Sequence, residues 1–168
     1  MPTETPKIYT PKSKTPEQAL ASLMRQCARA ERCSGDALRL MRRWGVADVE
    51  ARKILERLIR ERFIDDSRYA AAFVREKSRL GGWGGRKIAA ALRAKSVAPD
   101  VIDEALQQLS PEDDSARLEE LLRKKAARTT ARDAYDLKVK LIRFGASRGF
   151  SLEKVIDLAS QIANAEED

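Results

Sequence analysis

From Thr15 onward the apolar positions recur at helical spacing, with charged and polar residues filling the faces between them. The first such stretch opens at Thr15-Pro16-Glu17, a capping residue followed by proline and an acid, and runs to about Glu31 with Leu20, Leu23, Met24 and Cys27 inward. A second opens at Ser34 and stops near Trp44-Gly45. A third runs from about Asp48 to Arg62 and turns Ala51, Ile54, Leu55 and Leu58 inward. The strongest local signals lie between Phe63 and Lys95. There a helix follows Asp65-Asp66, glycines 81, 82, 84 and 85 surround Trp83, and a further helix opens at Arg86. At about 100° per residue, Tyr69, Phe73 and Leu80 share the apolar face of the first of these helices, and Arg68, Arg75 and Arg79 fall roughly opposite. In the second, Ile88, Ala91 and Leu92 point inward and Arg86 and Arg93 outward. Period-two alternation is absent and β-branched runs are few, so no strand is expected.

The helical pattern repeats. Gly45-Val46, Ser96-Val97 and Gly149-Phe150 stand 51 and 53 residues apart. Counted from the second residue of each pair, the same four offsets give Ala51, Ile54, Leu55 and Leu58, then Ile102, Ala105, Leu106 and Leu109, then Val155, Leu158, Ala159 and Ile162. Nine and eight residues before the same reference points stand Ala37-Leu38, Ile88-Ala89 and Leu141-Ile142. Every position is apolar. The fold expected is all-α: three tandem three-helix repeats over residues 17–63, 64–110 and 111–164. A unit of this size buries too little apolar surface alone, so the repeats are expected to stack into an elongated, curved array. Residues 1–16, with four of the six prolines and Lys7, Lys12 and Lys14, read as a flexible arm, and residues 165–168 as an acidic tail.

Charge narrows the partners. The chain has 33 basic and 26 acidic residues, and residues 1–64 alone carry 14 and 8. An excess on that side favours an acidic partner, most often nucleic acid. Chemistry of other kinds finds little support. There is no histidine, and Cys27 and Cys33 have no metal-ligand spacing, so reduced thiols are expected and neither metal nor cofactor. No apolar run approaches the roughly 18 residues of a membrane span, and the N-terminus lacks the core of a signal peptide. A soluble, cytoplasmic, monomeric protein is expected.

Three features are candidates for function. The Asp65-Asp66 pair can hold Mg²⁺ or act as acid and base, but adjacent carboxylates at a helix start point apart, and helix capping with a salt bridge to Arg68 is the simpler role. The glycines ahead of Arg86 can cradle a phosphate at a helix N-terminus or simply turn the chain, with Trp83 as a lid or a stacking surface. The basic set Arg68, Arg75, Arg79, Arg86, Lys87 and Arg93 is expected to form an exposed face, with Arg39, Arg42 and Arg43 as a second. A related spacing recurs in Arg117, Lys124 and Arg128, and a shorter stripe in Arg25, Arg29 and Arg32. No catalytic motif is present, so an enzyme is not expected.

Ile64-Asp65-Asp66-Ser67-Arg68-Tyr69-Ala70, followed by Phe73, Gly84, Ile88 and Leu92, resembles the central signature of the RecX family, regulators of the RecA recombinase. Arg32-Cys33-Ser34 ahead of Leu38 and Gly45, and Arg148-Gly149-Phe150, resemble the family's flanking repeats, so that the likeness spans about residues 17–164. Ser96 departs from the family pattern, which has glycine at that turn, and the Pro-rich arm falls outside it. The resemblance implies three tandem three-helix modules that bind RecA filaments on single-stranded DNA. It implies restraint of filament growth, ATP hydrolysis, strand exchange and co-protease action. The residues alone leave open a stand-alone, repressor-like helical DNA-binding protein.

Overall fold

The computed structural model describes residues 12–165, which contain helices and no strand. In chain order these are α1 (Pro16–Arg29), α2 (Ser34–Arg43), α3 (Asp48–Arg60), α4 (Asp66–Arg79), α5 (Gly85–Ala94), α6 (Pro99–Leu106), α7 (Pro111–Ala126), α8 (Ala134–Ser147) and α9 (Leu152–Ala165). Residues 1–11 of the expected arm and 166–168 of the expected acidic tail lie outside the described residues. The chain divides into two compact units, residues 1–66 and 67–168.

In the first unit the Thr15 hydroxyl accepts the Gln18 N–H and the Gln18 side chain returns to the Thr15 N–H, a reciprocal cap that starts α1 one residue before Glu17. Helix α3 packs on both α1 and α2. Between them lie Ala19, Leu23, Met41, Leu58 and Ile64, each at most 1% exposed, with Trp44 closing one side. Burying such a Leu, Ile or Met stabilises the fold by about 1.5–3 kcal/mol. The start of α2 has no side-chain cap on its own flank. Asp66 supplies it from 32 residues away: its Oδ1 accepts the Ser34 N–H at 2.8 Å. The sequence places the Asp65-Asp66 pair as a cap of the helix that follows it. The structure gives Asp66 a contact beyond that helix, which brings the Arg32-Cys33-Ser34 and Ile64-Asp65-Asp66 motifs together across the unit.

One turn recurs at the three predicted repeat positions. Gly45, Ser96 and Gly149 have φ of 76°, 62° and 87°. Their N–H groups donate to Arg42 O, Arg93 O and Ala146 O, and the N–H groups of Val46, Val97 and Phe150 donate to Met41 O, Leu92 O and Gly145 O. This is a left-handed helix C-cap in which the next, apolar residue folds back over the helix end. Val46, Val97 and Phe150 are accordingly buried, at 6%, 4% and 3% exposure. The periodicity in the sequence is therefore the periodicity of a capped helix pair.

In the second unit α5 packs on α6, while α7, α8 and α9 pack on one another around Leu118, Leu122, Leu141, Val155 and Ala159. Gly145 lets α9 approach closely, since a Cβ there would stand 2.7 Å from Val155 Cγ1. Helix α4 departs from the predicted phase. Its buried residues are Ala70, Val74 and Ser78, with Tyr69 and Phe73 half-buried along one edge. Leu80, expected inward, is 86% exposed. It lies one residue past the helix end, where Gly81 and Gly82 (φ 63°) turn the chain and helical phase no longer holds.

Candidate nucleic-acid interface

Arginine on an amphipathic helix is driven outward by the cost of desolvating its charge, and α4 and α5 follow that rule. Arg68, Arg75 and Arg79 on α4 and Arg86 and Arg93 on α5 are exposed. Arg75, Arg79, Arg86 and Arg93 make no ion pair among the described residues. Lys87 differs from its expected place on this face. It is half-buried, with its backbone against Gly149 and its ammonium 4.5 Å from the centroid of the Trp83 ring. In the first unit Arg39, Arg42 and Arg43 are exposed on α2. There Arg39 pairs with Asp36 at 2.6 Å and Arg42 with Asp48 at 3.8 Å, exposed contacts that contribute little.

Arg75 and Arg79 line a cleft of about 580 Å³ where α4 meets α7, together with Arg117, Asp113, Asp114 and Glu120. Arg68, Arg86 and Arg93 are not among its lining residues. Arg117 is spent on the fold. Its guanidinium pairs with Asp114, donates to Ser78 O at 2.6 Å, reaches Trp83 O at 3.4 Å and lies over the Phe150 ring. Of the other two residues in its stripe, Lys124 pairs with Glu120 at 2.6 Å and Arg128 is exposed. The cleft thus offers two uncommitted guanidinium groups beside the carboxylates of Asp113 and Glu120, a balanced rather than a basic lining.

The amides of Trp83, Gly84 and Arg86 are committed within the fold. Gly84 N–H donates to Arg148 O at 2.7 Å, Arg86 N–H to Gly149 O at 3.1 Å and Trp83 N–H to Lys77 O at 3.0 Å, while Arg148 Nη1 donates to Gly81 O at 3.1 Å. A Cβ on Gly84 would stand 2.5 Å from Gly149 O. The glycines let the start of α5 and the α8–α9 turn meet backbone to backbone, and these donors are not presented to a phosphate. Trp83 meets the edge of Phe73 at 6.3 Å, Phe73 lies 6.0 Å from Tyr69, and Lys77 stands over both the Phe73 and Trp83 rings.

Of the aspartate pair, Asp66 is tied into the fold by its bond to Ser34. Among the described residues no group of His, Cys, Asp and Glu could hold a metal ion, and no helix is long and apolar enough to cross a membrane. Cys27 and Cys33 form no disulfide. Burial pushes the Cys33 thiol above its ordinary pKa; a backbone hydrogen bond from Asp36 acts against this and the nearby Asp36 and Asp66 charges reinforce it, so the thiolate is disfavoured. Sequence reasoning missed two placements. Arg117 looked like one member of a surface stripe, and Lys14 like part of an arm, yet Lys14 is seated 4.7 Å from the centroid of the Trp44 ring. No local signal marks either, since the Arg117 bonds to Ser78 O and Trp83 O span 39 and 34 residues and the Lys14 contact with Trp44 spans 30.

Residues 65–106 match the family model described as RecX, second three-helix domain, and residues 112–156 the model described as RecX, third three-helix domain. The regulatory protein RecX of Mycolicibacterium smegmatis is 36% identical over 125 residues, covering 71% of this chain and 66% of that protein. That of Clostridium botulinum (strain Eklund 17B) is 34% identical over 116 residues, covering 68% and 54%. The match to the Mycolicibacterium vanbaalenii protein is 30% identical over 162 residues, covering 92% and 88%. The chain therefore spans between about half and two thirds of the length of the first two of these relatives and most of the third. A crystal structure of regulatory protein RecX superposes with a TM-score of 0.79 at 23% identity, over 87% of this chain and 73% of that one. RecX from Lactobacillus salivarius superposes with a TM-score of 0.74 at 18% identity, over 89% and 97%. At these identities the structural likeness concerns the fold.

Proposed function

The chain belongs to the RecX family of regulatory proteins, and from that premise we propose that it binds RecA filaments on single-stranded DNA and restrains their growth, ATP hydrolysis, strand exchange and co-protease activity. It acts in the cytoplasm as a monomer built of three helical modules, residues 17–63, 64–110 and 111–164, and by binding rather than by catalysis.

The observation that carries this reading is the set of four exposed arginines, Arg75, Arg79, Arg86 and Arg93, that make no ion pair among the described residues. Guanidinium groups that hold no ion pair are suited to bidentate contact with phosphate or carboxylate. The balanced cleft at Arg75 and Arg79 suits a protein surface carrying both signs, here RecA. Arg68, Arg86 and Arg93, with Arg39, Arg42 and Arg43 on α2, suit the nucleic acid. Asp65, Asp66, Tyr69, Phe73 and Gly84 serve the fold that holds these groups.

The test is ATP hydrolysis by RecA pre-assembled on single-stranded DNA. Added in substoichiometric amounts, this protein slows it; a rate unchanged across a wide titration overturns the reading. Sequence-selective binding to duplex DNA at physiological salt would instead indicate a stand-alone repressor-like protein.

A further inference from the structure

In the first unit, α1 and the end of α2 enclose a cleft of about 180 Å³ lined by Lys14, Ser22, Arg25, Gln26, Arg29 and Trp44. No carboxylate lines it, and Lys14, Arg25 and Arg29 make no ion pair among the described residues. Lys14 is held in place by its N–H, which donates to Trp44 O at 3.1 Å, and by its ammonium resting on the Trp44 ring. Two of these cations converge on one hydroxyl. Lys14 Nζ donates to Ser22 Oγ at 2.9 Å and Arg25 Nη2 donates to the same atom at 3.2 Å.

Ser22 is 7% exposed, and a hydroxyl has two acceptor lone pairs and one proton to give. Both lone pairs are taken, and its proton has no acceptor among the described residues. The donors of the cleft, the Ser22 O–H, the remaining N–H groups of Lys14 and Arg25 and the guanidinium of Arg29, outnumber its side-chain acceptors, of which Gln26 supplies an uncharged amide oxygen. Ser22 is the buried member of this set, Lys14 being half-buried and Arg25 and Arg29 exposed, and a buried hydroxyl proton is normally satisfied. The Lys14 and Arg25 charges, meeting on a neutral oxygen, repel each other unless an anion lies between them. A tetrahedral oxyanion supplies what is missing, with several acceptor atoms and negative charge at one point.

We propose that this cleft is a seat for an internal phosphate of single-stranded nucleic acid, held by Lys14, Ser22, Arg25 and Arg29. The assignment of the phosphate to a polynucleotide rests on the filament reading above, whereas the oxyanion chemistry of the cleft does not.

The chain has two tryptophans, so in a Trp83→Phe background Trp44 is the sole reporter, with the Lys14 ammonium already on its ring. Titration of the full chain with an oligothymidylate changes Trp44 fluorescence at concentrations where inorganic phosphate and pyrophosphate do not. An equal response to inorganic phosphate overturns the polynucleotide assignment. The Lys14→Gln, Arg25→Gln double variant binds the oligonucleotide about tenfold more weakly at low salt, and its log–log salt slope is shallower by about 0.7, the share of one phosphate contact on a single strand. Ser22→Ala, which removes no charge, weakens binding while leaving the slope as in the parent. Parental affinity and slope in the double variant overturn the proposal. RecA ATP hydrolysis separates the two readings: a chain that binds the oligonucleotide through this cleft yet leaves hydrolysis unchanged keeps the seat and loses the filament role.

Discussion

Ser96 occupies a left-handed turn (φ 62°) whose two counterparts are glycines. An L-residue there costs about 1–2 kcal/mol, and glycine costs about 0.5–1 kcal/mol in unfolded-state entropy. Ser96→Gly is therefore expected to stabilise the fold by about 0.5–1 kcal/mol, seen as a higher urea midpoint, with a smaller gain to the extent that the serine side chain's own contacts are lost. Asp66→Ala goes the other way. It leaves the Ser34 N–H at the start of α2 without its carboxylate and is expected to cost about 1 kcal/mol, while Asp66→Asn, which keeps an acceptor oxygen, costs less. Faster alkylation of buried Cys33 in Asp66→Ala, measured beside the urea curve, locates the loosening at the start of α2. At this scale the sequence was only half legible. That Asp65-Asp66 mattered was visible in the motif. That Asp66 serves a helix 32 residues upstream was not, because a carboxylate beside a helix start has a local use that looks sufficient.

Helices carry their own electrostatics. At the start of α8, Asp133 accepts the Asp136 N–H at 2.7 Å, and Asp136 accepts from Lys140 Nζ at 2.9 Å and from Arg132 N–H at 3.1 Å. The Lys140 hydrogen bond, then that of Arg132, holds the Asp136 carboxyl below its ordinary pKa. A depressed carboxylate contributes stability above its unfolded pKa and loses it as pH falls through the folded one, so its share disappears only on the acid side of about pH 4. Lys140→Met is expected to move the Asp136 titration upward, followed by NMR of the side-chain carboxyl against pH. Between helices, Arg117→Met removes the donors that tie α7 to Ser78 O and Trp83 O. The half-buried carbonyls then lose a charged partner, and the expected cost is about 2 kcal/mol, with amide exchange accelerated at the end of α4. The helices themselves were legible because amphipathic period and capping residues are local. The phase of α4 was misread because two aromatic rings outweighed Ala70 and Val74 on the wheel, although the smaller residues fit the closer contact.

Across the whole chain the charge is uneven: residues 1–64 carry 14 basic and 8 acidic side chains, and residues 111–168 carry 11 and 12. Phosphate contacts should therefore be concentrated toward the N-terminal part. Replacing Arg75, Arg79 and Arg86 together by Ala is expected to weaken binding to filaments on single-stranded DNA without loss of helical circular dichroism. The salt slope becomes shallower by about 0.7 for each of the three that meets a phosphate. If Arg75 and Arg79 meet protein, as their carboxylate-balanced cleft suggests, the slope changes by about one contact only, while affinity falls further. Parental binding and slope in this variant would mean that the face is merely solvated. The all-helical repeat pattern was legible because each capped turn leaves an apolar residue at a fixed distance from the next helix. The meeting of the glycine loop with the α8–α9 turn was not, since nothing near Gly84 announces Arg148 and Gly149.

That meeting has a kinetic consequence. The bond from Gly84 N–H to Arg148 O joins residues 64 apart, whereas the capped turns close over five residues or fewer. Loop-closure entropy makes the distant contact the later one to form, after the helix pairs on either side have collapsed locally. Gly84→Ala, which sets a Cβ 2.5 Å from Gly149 O, should then leave the refolding limb of a chevron plot nearly unmoved and raise the unfolding limb. A slowed refolding limb of comparable size would place this contact in the folding nucleus instead.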